Sequence, residues 1–383
     1  VALVASLAVA SLASAGSRER AKRMHDRLVG VPPSGDVLND MADLIDLDTE
    51  LAFRQAAELA METPDFYNTA LKRFVAPWTN AAGDAFAPFN DYTALVIGMV
   101  RDDVPFNEVL SADMIYTGAD GVVASSYSHT DNDHYEELDA NGIDLSDTAL
   151  FVQGSQSRLN GSPLVAAETA GIITTRAAGE SFFSAGTNRR MWRFIAMNYL
   201  CRDMEDLHDI SRPADRIRQD VGRSPGGDSA LFANGCTGCH SGMDPLAGAF
   251  SFFEWDMDQG RTVYTRGEVQ EKYLINANTF PGGYVTVDDR WDNFWRSGPN
   301  SALGWNGPSS GGFGPKSLGM EVTGSRAFSV CQVEKVFEQV CFREPSSDDD
   351  YAKVQEIANV FEDESYSLRR VFAETAVYCT EGE

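Results

Sequence analysis

Cys236, Cys239 and His240 stand in the run Cys-Thr-Gly-Cys-His, and no other feature restricts the chain as much. Two thiols three positions apart and an adjacent imidazole point to one shared object. C-x-x-C-H is the attachment signature of a c-type haem, in which the thiols bond the two vinyl groups and the imidazole lies under the iron as proximal ligand. Two other uses of a C-x-x-C pair fit less well. A thioredoxin-like motif opens a helix in a βαβ unit, whereas this one follows Ser-Pro-Gly-Gly-Asp at 224–228 and precedes Ser-Gly-Met-Asp-Pro at 241–245. A zinc site needs four ligands, and no second C-x-x-C or His pair completes a set. The reading therefore expects one covalent haem c.

The segment 236–250, Cys-Thr-Gly-Cys-His-Ser-Gly-Met-Asp-Pro-Leu-Ala-Gly-Ala-Phe, resembles the haem-binding module of a family of large exported bacterial cytochrome-like proteins. Their motif continues as Met-Asp-Pro-Leu, then Gly, Ala and an aromatic-rich run, matched here by Phe250, Phe252, Phe253 and Trp255. Upstream, residues 27–33, 170–176 and 216–221 resemble the family's preceding helical module; downstream, 327–344 resembles its closing one. The resemblance extends over most of residues 20–380 and implies a cofactor and a fold class more than a reaction.

Four cysteines remain, Cys201, Cys331, Cys341 and Cys379, an even number in a protein that must be exported for haem attachment, so two disulfides are expected. Cys331 and Cys341 fall ten residues apart in a stretch that reads as one helix. At 1.5 Å per residue their Cα atoms are ~15 Å apart, beyond the ~7 Å limit for a bridge. Of the two pairings left, Cys341–Cys379 with Cys201–Cys331 is favoured if the last helix packs on its neighbour.

The fold class expected is mainly α: helical modules around a haem, with long Gly/Pro-rich loops and few short strands. The sequence divides into an apolar segment 1–16, a helical module 17–114, a loop-rich acidic segment 115–165 with short strands, a haem-binding module 166–325 and a closing module 326–383 read as two helices. Within these, Ser34 is a plausible N-cap, a turn falls at 102–105, and Met191, Phe194, Ile195 and Asn198 share a helix face. Residues 1–15 look like the apolar part of a secretory signal without its basic start. At this length they are short of the ~20 residues a spanning helix needs. If retained, they form a helix buried against a second chain in a homo- or hetero-oligomer.

Net charge is −26, from 57 acidic and 31 basic residues. This argues against nucleic-acid binding, because phosphates are repelled, and allows a basic redox partner. Membrane association is left open.

Several residues are candidates around a haem. Met320 is the first choice for the sixth iron ligand and His134 the reserve; Met257 is a further option and Met243 stands too close to His240. Arg189, Arg190, Arg216, Arg218 and Arg223 cluster before the motif and suit the two propionates, since the guanidinium fork matches a carboxylate. Phe252 and Trp255 are candidate walls for the porphyrin, with core packing as the plainer reading. Asp131, Asp133 and Glu136 could instead hold calcium, which takes oxygen ligands. His25 and His208 read as surface histidines. No Ser-His-Asp set, phosphate-cradling loop or nicotinamide fingerprint is present.

Three functions are compatible with this: electron transfer by an exported monohaem cytochrome, a peroxidase-like haem enzyme, and an assembly or filament subunit with a mainly structural haem.

Overall fold

A computed structural model describes residues 16–184, 186–221, 229–274 and 280–381. The apolar segment 1–15 and Arg223 lie outside the described residues. The fold is mainly helical, and the strands described form three two-stranded antiparallel sheets: Ile115–Gly118 with Phe151–Gly154, Phe253–Asp256 with Arg261–Tyr264, and Arg290–Asp292 with Gly311–Phe313.

Local sequence sets the helix starts. Ser34, Thr49, Asn90 and Ser325 each accept a backbone N–H at the start of Gly35–Ile45, Glu50–Met61, Asp91–Arg101 and Arg326–Cys341. Ser347 and Asp350 form a capping box on Asp348–Asp363. Arg343 also donates two N–H groups to Asp350, at 2.7 and 2.9 Å. The Arg343 guanidinium holds the Asp350 carboxyl well below its ordinary value. A lowered folded pKa adds stability above the unfolded value of ~3.9, and that stability is lost as pH falls through the folded value. Asp350→Asn is therefore expected to cost about 1–3 kcal/mol at pH 7. In urea melts the gap from wild type should narrow progressively as pH falls below ~3.9.

Ser17–Val29, Gly35–Ile45 and Glu50–Met61 pack on one another, and the first and third also meet the last helix, Leu368–Glu381. That helix packs on Arg326–Cys341 and Asp348–Asp363. Arg326–Cys341 then meets Arg189–Leu200, which packs on Thr237–Ala247, the helix that carries the motif. One continuous apolar core runs through all of these helices, from Ala21 to Cys379.

Both disulfides follow the favoured pairing, Cys201–Cys331 with Cα atoms 5.3 Å apart and Cys341–Cys379 at 5.5 Å. Cys331 and Cys341 share the helix Arg326–Cys341, as the exclusion required. Cys201 caps the C-terminus of Arg189–Leu200, so its bridge ties that helix to the C-terminal helices.

Three sequence expectations are corrected. The closing module holds three helices, because a second break falls at Ser365 and Tyr366, both with positive φ. The acidic segment contains the helix Asp133–Ala140, which buries His134, Tyr135 and Leu138. His25 is fully buried; its Nδ1 lies 3.1 Å from the Val31 carbonyl, and burial pushes its pKa down.

Candidate functional site

Cys236 is the N-cap of Thr237–Ala247, and Cys239 and His240 lie on its first turn. Both thiols are free, so they are not bridged to each other. Cys239 donates its S–H toward the Met204 carbonyl at 3.4 Å, and burial pushes this thiol's pKa up. Cys236 packs against a small apolar cluster of Ile217, Val221, Phe232 and Phe280, separate from the main core. The Phe232 ring lies 6.0 Å from the His240 ring, centroid to centroid.

Two glycines let other elements close on the motif helix. A Cβ on Gly242 would stand 2.1 Å from the buried Trp295 ring, and one on Gly238 would stand 2.3 Å from His208 Nε2. The segment before the motif is further fixed by Asp209 N–H, which donates to the Gly238 carbonyl at 3.0 Å.

One turn on from His240, Asp244 reaches back to it. His240 Nδ1 donates to Asp244 Oδ1 at 2.9 Å, which leaves Nε2 as the nitrogen available to a metal. Asp244 is 1 % exposed and accepts three further hydrogen bonds. These come from Arg189 Nε at 2.6 Å, Arg189 Nη2 at 3.0 Å and the Arg218 backbone N–H at 3.1 Å. Burial alone would raise the Asp244 carboxyl; the Arg189 guanidinium and the His240 hydrogen bond override it and hold the group well below its ordinary value.

Arg189 also binds Asp220 through Nη1 at 2.8 Å and Nη2 at 3.1 Å, and donates to the Thr187 hydroxyl. Arg218 Nε lies 3.2 Å from Asp220 Oδ1, and its Nη2 donates to the Thr187 carbonyl at 3.0 Å. Two arginines and two aspartates thus form a buried, charge-balanced quartet behind the imidazole.

The arginine cluster expected from the sequence is therefore divided. Arg189 is saturated by carboxylates of the chain itself. Arg216 pairs with Asp292 and lies 4.2 Å over the Tyr284 ring; Arg190 is exposed and reaches the Ser181 carbonyl at 3.4 Å. Arg218, 1 % exposed, keeps Nη1 without a hydrogen-bond partner among the described residues.

The other candidates lie elsewhere. Phe252 and Trp255 belong to the main core, where Phe252 meets Tyr264 and Trp255 lies under Arg176. Met320 is 40 % exposed on Gly314–Thr323, a helix that packs mainly on the sheet strand Gly311–Phe313 and the turn Gly248–Phe250. Met257 is exposed and Met243 buried. His134 corrects the reserve ligand assignment: the Gly118 N–H donates to its Nε2 at 3.0 Å, so Nδ1 carries the proton and donates to the Ser125 carbonyl at 2.7 Å. Neither nitrogen is free for iron. His134→Ala is expected to cost about 1–2 kcal/mol, because it leaves partly buried backbone groups of Gly118 and Ser125 unpaired. A thermal or urea melt checks this.

Asp131 and Glu136 line a cleft of about 730 Å³ remote in sequence from the motif, and Asp131 accepts from Ser128 Oγ at 2.6 Å. Among the described residues no three His, Cys, Asp or Glu side chains, Asp131, Asp133 and Glu136 included, converge as a metal site.

Sequence reasoning missed Asp244, although it stands four residues after His240 on one helix, where side chains meet. It also missed Phe232, four residues before Cys236, and Asp220. Comparison with family models, curated proteins and solved structures returns no match.

Proposed function

We propose that the chain is an exported monohaem c-type cytochrome that transfers electrons. The observation that carries this is two free thiols and an imidazole on one helical turn, with Nδ1 anchored by Asp244 and Nε2 left to bind iron. The donor set suits a haem: Cys236 and Cys239 for the vinyl groups, His240 Nε2 for the iron, and Ile217, Val221, Phe232 and Phe280 as apolar surroundings. Arg218 Nη1, a buried donor lacking an acceptor among the described residues, suits a propionate. When bound, the haem supplies the one-electron couple; the chain holds it, orients the imidazole and limits water.

The two disulfides support an oxidising compartment, where such bridges persist and where haem c is attached. Among the described residues no helix is long and apolar enough to cross a membrane. The charge of −26 favours a basic redox partner, with association that weakens as salt rises.

A reduced-minus-oxidised spectrum with added cyanide or carbon monoxide tests the reading. Sharp c-type bands that ignore both ligands are expected of an electron carrier. Ready ligand binding with peroxide turnover would instead place the chain among haem enzymes.

A further inference from the structure

We infer that Asp244 strengthens His240 as an iron ligand and thereby lowers the reduction potential of the haem. The inference rests on the covalent-haem reading above. Asp244 and His240 are four apart on one helix, so the backbone fixes their hydrogen bond at 2.9 Å. A carboxylate that accepts the Nδ1 proton pushes electron density to Nε2, making the imidazole a stronger donor. A stronger axial donor favours the ferric state.

The surroundings hold the negative charge in place. Asp244 is buried and takes N–H groups from Arg189 and Arg218. Arg189 alone would withdraw that charge from the imidazole, but its fork is shared with Asp220. Across the quartet the charges balance, so the nearest charge to the imidazole remains the Asp244 carboxylate. Asp244 is a positioning and tuning residue: it acts through His240.

The test is Asp244→Asn in the exported full chain. Asparagine keeps the shape and still offers a carbonyl to Nδ1–H, but removes the charge. Both proteins are first weighed for covalent haem and then titrated for potential. The expected result is an equilibrium constant for reduction at least tenfold larger in the variant, about 59 mV for one electron. Equal potentials in two haem-bearing proteins would overturn the inference alone. A wild type without haem would overturn the covalent-haem reading and the inference with it. If the variant does not fold, proton NMR of the wild type decides: the His240 Nδ1 proton should be hyperfine-shifted and slow to exchange with D2O, and rapid exchange would overturn the bond.

Discussion

Arg189→Ala is expected to destabilise the protein by about 3–5 kcal/mol at pH 7, the cost of breaking a buried ion pair and leaving its partner uncompensated. Arg189 serves two carboxylates whose side chains are fully buried, Asp220 and Asp244, with four hydrogen bonds between 2.6 and 3.1 Å. The sign with pH follows from Asp244. Its folded pKa is lowered by Arg189 against burial, so its contribution is present above the unfolded value of ~3.9 and lost as pH falls. Without the guanidinium, burial weighs more heavily and the Asp244 carboxyl resists ionising. The gap between wild type and variant in urea melts should thus widen from pH ~3 to 7. The quadruple variant Arg189→Met, Arg218→Met, Asp220→Asn, Asp244→Asn removes all four charges of the quartet and should recover most of the loss. Failure to recover would mean that Arg189 acts by packing rather than charge.

If haem is attached as proposed, replacing Cys239 by Ser should abolish two-bond attachment while leaving the fold nearly intact. Among the described residues the Cys239 thiol makes one polar contact, at 3.4 Å to the Met204 carbonyl, and a serine there loses little. Its cost in stability of the haem-free chain should stay within about 1 kcal/mol. On the proposed haem attachment, haem retained after denaturation should fall at least tenfold, because one of the two thioethers is missing. Cys236→Ser should behave alike. A haem stain on denaturing gels, read beside a melt of the same sample, separates the two effects.

How far the sequence could be read depended on range. Features set within one or two helical turns were legible: the motif, the cap at Ser34, and the shared helix of Cys331 and Cys341, whose pitch alone excluded one disulfide pairing. Asp244 was legible in principle, by its i+4 spacing from His240. Groups that meet across the fold were not. Arg189 was seen as a cation in a cluster, but its partners Asp220 and Asp244 lie 31 and 55 residues away, so a propionate stood in for them. His134 was read as a loop histidine able to reach the iron because its partners, the Gly118 N–H and the Ser125 carbonyl, are backbone groups that carry no side-chain signal. The break at Ser365 and Tyr366 lacks Gly or Pro; it is held by packing, with the Tyr366 ring 5.2 Å from that of Phe361 and its carbonyl accepting from the Phe106 N–H.

Phe252 and Trp255 show the same limit. An aromatic run beside a haem motif suits a porphyrin wall and a protein core equally well. Their positions around the strand Phe253–Asp256 send them to the core, while Phe232 from the helix Ser229–Gly235 meets the imidazole.

The most direct test of the central claim is the mass of the denatured chain, exported through a compartment that matures c-type haem. The expected result is a mass increased by that of one haem, mapped to the peptide holding Cys236 and Cys239, with Cys201–Cys331 and Cys341–Cys379 bridged. A chain at its bare polypeptide mass, with a haem that extracts into acid-acetone or with no haem at all, would contradict it.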